Sequence, residues 1–80
     1  MITQEILEEK IEKFFESEYQ KTKELLDNPP FWVRSEKEVV NNAIQRCFGV
    51  AQFIQDLDIF YINLDSYNIY REYLEKLLDK

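Results

Sequence analysis

The sequence holds no histidine, one cysteine, one glycine and two prolines in 80 residues, and each scarcity closes a class of function. Without histidine the chain lacks the commonest general base and the commonest metal ligand. The lone Cys47 cannot assemble a thiolate zinc site and has no imidazole beside it to make it a nucleophile. It cannot close an internal disulfide either, which fits a reducing compartment. A single glycine leaves no room for a G-x-G-x-x-G or Walker A phosphate loop. Asp56-Leu57-Asp58 followed by Asp65 lacks the glycine and the spacing of a calcium loop. The expectation is a protein that is not an enzyme and carries no cofactor or metal.

The same shortage bears on the fold. Hairpin turns need positive φ at defined positions, so one glycine makes an all-β or parallel α/β architecture improbable. No apolar run reaches the roughly 18 residues of a bilayer span, and no secretory leader precedes the first amphipathic segment. A cytoplasmic protein is expected. The formal charge of −6 argues against direct nucleic-acid binding, which needs basic patches, and against anionic membrane surfaces.

What is present is apolar residues at helical spacing. With 45% hydrophobic and 15% aromatic residues, the chain can build one core, and residues 1–80 are read as a single helical domain. The pattern predicts an antiparallel three-helix bundle with helices over about 3–27, 36–56 and 66–79. The middle segment organises the rest. Ser35 and Glu38 stand at capping-box spacing. Val40, Ile44, Cys47, Ala51 and Ile54 then form one stripe at four-three spacing. Val39, Ala43, Val50, Phe53 and Leu57 form a second stripe about 90° around the axis. Two stripes predict a central helix with a neighbour on each seam. Gly49 falls on the polar side, so packing among the three helices does not account for it; its position predicts either an approach from outside or a bend.

On the first helix, Leu7, Ile11, Phe14, Phe15, Tyr19, Thr22, Leu25 and Leu26 share a stripe with Glu18 in its middle. An unpaired buried carboxylate is expensive, and wheel position nominates Arg46 of the middle helix, or a tyrosine hydroxyl, as its partner. Asn28-Pro29-Pro30 ends this helix, because Pro29 biases Asn28 away from the helical region and two prolines cannot continue it. Phe31, Trp32 and Val33 are expected to pack over the end of the core, with exposure of Trp32 as a binding anchor the alternative. Residues 57–64 read as an irregular apolar connector. Asp65 or Ser66 is expected to cap the last helix, whose inner face carries Tyr67, Ile69, Tyr70, Tyr73, Leu74, Leu77 and Leu78.

Two surfaces are candidates for function. The open arc of the middle helix holds Asn41, Asn42, Gln45, Gln52 and Gln55 around Phe48, with no charge until Asp56. Interface cores are depleted in charge and enriched in aromatics, so Asn41, Gln45, Phe48 and Gln52, with Trp32, are the expected contacts to a protein partner. That partner is either a second copy, giving a homodimer, or a larger protein to which the chain is an accessory subunit. The alternative is the acidic stripe Glu5, Glu9, Glu12 and Glu16. It would imitate a phosphate backbone and occupy a basic groove on a nucleic-acid-binding protein as an inhibitor.

Overall fold

The computed structural model of the chain describes residues 3–57 and 64–79. Three helices, α1 (Gln4–Asp27), α2 (Glu36–Asp56) and α3 (Leu64–Lys76), account for nearly all of them. Each helix packs against the other two, and no strand is present among the described residues. The fold is the all-α three-helix bundle that the apolar spacing predicts. It is a rod of 42 × 20 × 17 Å, as a 24-residue α1 at about 1.5 Å per residue requires. The direction of each helix is fixed by its contacts. Phe15 meets Tyr67, Glu16 meets Tyr70 and Tyr19 meets Tyr73 in the same order along both chains, so α3 runs parallel to α1. The short link from Asn28 to Ser35 turns α2 back against both.

Each helix begins and ends for local reasons. The Thr3 hydroxyl accepts from the Ile6 amide at 3.2 Å and caps α1; the Ser35 hydroxyl accepts from the Glu38 amide at 3.3 Å and caps α2. Both satisfy amide groups that would otherwise be orphaned in the first turn. Asn28 leaves the helical region with φ −133° and ψ 71°, as a residue before proline should. α3 begins at Leu64, so Asp65 lies in its first turn and not at the cap. There its charge still favours the helix end through the dipole. After Lys76 the backbone tightens, with Leu77, Leu78 and Asp79 donating to carbonyls three residues back. The expected connector at 57–64 lies, apart from Leu57 and Leu64, outside the described residues.

The core is built from Ile11, Phe15 and Leu26 of α1, Val40, Ala43, Cys47 and Ala51 of α2, and Leu74 of α3. In the first stripe of α2, Val40, Cys47 and Ala51 are buried, with Ile44 and Ile54 half-buried against the core. The second stripe is covered only in part: Ala43 is buried, Val39 and Val50 are half-buried, and Phe53 is 66% exposed with Leu57 also open. This corrects the expectation of two covered seams. In a triangular bundle the two neighbours of a helix subtend only about 60° at its axis, so the buried arc centres between them and cannot reach both edges of a half-circumference stripe. Ile69 is likewise exposed, off the inner face of α3 to which it was assigned.

Glu18 is the polar exception in the core. Only 6% exposed, its Oε2 accepts from both Nε and Nη2 of Arg46 at 2.8 Å. The pair that wheel position nominates is formed. Thr22, one turn on, donates its hydroxyl to the Glu18 carbonyl at 2.7 Å. No buried side-chain polar atom among the described residues is left without a partner.

Candidate functional site

The feature that departs most from a closed bundle is the link between α1 and α2. The Val33 amide donates to the Pro30 carbonyl at 3.0 Å, making a β-turn with Phe31 and Trp32 at its two central positions. Pro29 and Pro30 fix the approach to that turn by locking their φ angles. Residues at the centre of a turn point away from the chain that enters and leaves it. Phe31 is accordingly 99% exposed and Trp32 60% exposed. This overturns the expectation that the aromatic cluster packs over the core; only Val33 turns inward, half-buried. Trp32 is exposed, the condition that the alternative reading of it requires.

Trp32 stands between two grooves. One, of about 480 Å³, runs along the end of α1 and is walled by Leu25, Pro30 and Trp32, with Lys21, Glu24 and Asn28 at its edge. The other, of about 300 Å³, opens on the start of α2 between Trp32, Val33, Arg34, Val39 and Asn42. Val33 and Val39 both line it.

The amide face of α2 lies where the spacing predicts. Asn41, Gln45 and Gln52 are exposed, and Gln52 donates to Asp56 at 2.9 Å. Phe48 is not free in the way a lone anchor would be: its ring meets Tyr67 of α3 edge-on at 5.8 Å, while 47% of the residue stays open. It is a shared edge of the α2–α3 seam. Gly49 has open space around the position a Cβ would take, so neither a neighbouring helix nor a tight backbone requires it. Asn42 joins the amide face to the groove beside Trp32, whose lining also carries Arg34 and Glu38.

The acidic stripe is exposed at Glu5, Glu9, Glu12 and Glu16, but it is partly committed inside the molecule. Glu9 pairs with Lys13 at 3.2 Å. Glu16 accepts from Gln20 at 2.9 Å and from the Tyr70 hydroxyl at 3.0 Å. Burial, reinforced by that bond to Glu16, pushes the Tyr70 phenol up to about 12. Cys47 is sealed beneath the Glu18–Arg46 pair; burial, with Glu18 adding and Arg46 opposing, pushes its thiol up to about 11. A thiol so placed stays protonated and inert. Among the described residues no group of carboxylates and cysteine is placed to hold a metal ion, and no helix is long and apolar enough to cross a membrane.

Sequence reasoning missed Phe31 and Phe53 as surface residues. For Phe31 the prolines gave no such signal: proline is favoured at the second position of a turn, whereas Pro30 holds the first. For Phe53 there was none, because its spacing is that of a core residue.

No family model matches the chain, and neither a curated protein nor a solved structure shows significant similarity to it.

Proposed function

We propose that this chain is a small, non-enzymatic protein-interaction module of the cytoplasm. It docks on another protein chain through the Phe31–Trp32 turn and the adjoining amide face of α2. One observation carries this: a phenylalanine held 99% exposed on a rigid turn beside a half-open tryptophan. A folded domain gains nothing from aromatic surface left in water, about 150–250 Å² per ring, and contiguous exposed apolar surface marks interaction sites. Asn41, Gln45 and Gln52 supply hydrogen bonds on the flank, with Phe48 at the far edge. The missing histidine and the inert thiol are in keeping with docking as the whole task. The acidic stripe supports the alternative of a nucleic-acid mimic less well, since Glu9 and Glu16 are already engaged by Lys13, Gln20 and Tyr70.

The test is a photo-crosslinking amino acid placed at position 31 and expressed in the native host. A discrete protein adduct, lost when Trp32→Asp is added, is the expected result. Quenching by water alone, with no adduct at position 31 or at position 45, would end the proposal.

A further inference from the structure

We infer that the occupant of the groove beside Trp32 is Phe31 of a second copy of the chain, in a two-fold tail-to-tail dimer. This rests on the interaction-module reading and names its partner.

The first argument is self-complementarity. A two-fold interface uses one patch twice, so knob and hole must lie side by side on the same surface. Phe31 is a fully exposed knob, and the groove of about 480 Å³ formed by Leu25, Pro30 and Trp32 adjoins it. An axis passing beside the turn carries each Phe31 into the groove of the other copy.

The second argument is charge. Residues 21–38, around the turn at this end of the rod, hold four acids and four bases. The rest of the chain holds twelve acids and six bases, and therefore the whole net charge of −6. Two copies therefore meet at this end without net repulsion. A basic partner would be drawn to the opposite end, where the α1 acids stand. A neutral, apolar occupant is what this end selects.

The third argument is area. Phe31 and the open part of Trp32 offer about 350 Å² per copy, taking about 150–250 Å² for each whole ring. The groove wall that each ring covers includes Trp32 itself. The two dockings together therefore remove on the order of 800 Å², below the about 1,200 Å² of a stable interface, and the dimer is a weak one that forms at high protein concentration. The turn is already fixed by Pro29 and Pro30, so little ordering cost opposes docking.

The experiment uses the purified full chain and its own probe, since Trp32 is the single tryptophan. Sedimentation mass and tryptophan emission are followed from low-micromolar to near-millimolar protein. The expected result is a rise from 9.8 kDa toward twice that value, with a blue shift of emission over the same range. Phe31→Asp, with an unchanged far-ultraviolet dichroism spectrum, should hold the mass at the monomer value and the emission at its dilute-solution wavelength. A doubled mass without the shift, or one that survives Phe31→Asp, places the contact elsewhere and overturns the inference while leaving an interaction module. A monomer at every concentration also overturns it; the crosslinking at position 31 then decides whether a different protein docks or the module reading fails as well.

Discussion

Two places in this molecule violate the rule of apolar inside and polar outside, and they do so in opposite senses. At the middle of the α1–α2 seam a carboxylate is buried; at the turn between the same two helices an aromatic pair is exposed. The first violation is closed within the chain, by two hydrogen bonds from Arg46 to Glu18 at 2.8 Å. The second has no such closure, because a ring lying 99% in solvent touches nothing that could repay it. Buried polar groups and exposed apolar patches are the informative departures from ordinary surface statistics. Here one explains why the bundle has its register. The other points away from the bundle altogether.

The contrast can be broken most forcefully at the buried end. Arg46→Ala leaves the buried Glu18 carboxyl group without its partner, and should cost about 3 kcal/mol in urea unfolding. Glu18→Leu removes the carboxylate and leaves a half-open Arg46 that reaches water, so its cost should be near zero or negative. Equal losses for the two variants would show that the pair is not a desolvated one. A second probe of the same seam is alkaline titration. The fold holds the Cys47 thiol in its protonated form, raised from 9.0 to about 11. Its stabilising contribution is therefore complete below pH 9 and lost as pH climbs to about 11. The loss is on the order of 2–3 kcal/mol. Tyr70, raised from 10.0 to about 12, continues the loss at still higher pH. Unfolding at pH 8 and pH 11 should fall further for the native chain than for Cys47→Ala; parallel curves would remove the thiol from the account.

On the open side the expected stability effects are smaller. Gly49→Ala meets free space within a regular helix and should stabilise by about 1 kcal/mol in the monomer. A loss of stability would mean that something does pack against that face. Phe31→Ser should change the unfolding free energy of the dilute monomer by less than about 0.5 kcal/mol. A larger loss would show that Phe31 belongs to the fold after all, and the contrast between the two sites would collapse.

Much of this architecture is legible in residue spacing. The cap at Ser35, the break at Asn28-Pro29, the buried Val40, Cys47 and Ala51 and the Glu18–Arg46 pair all follow from periods and local rules. These are properties of a helix as an isolated object, and a linear pattern specifies them. The fate of Phe53, Ile69 and Phe31 is of another kind. Phe53 sits at a core-like interval yet faces water, because how far each neighbour wraps around α2 depends on where α1 and α3 lie in space.

The sequence by itself determined the helices, their order and the stripe each one buries, since backbone hydrogen bonding and side-chain period are local. Only the tertiary arrangement decided which edges stay uncovered. With three helices there are never enough neighbours to cover every apolar position, and the direction of the Pro30–Val33 turn settles whether Phe31 falls inside or outside. That geometry leaves Phe31 and Trp32 side by side where residues 21–38 carry no net charge.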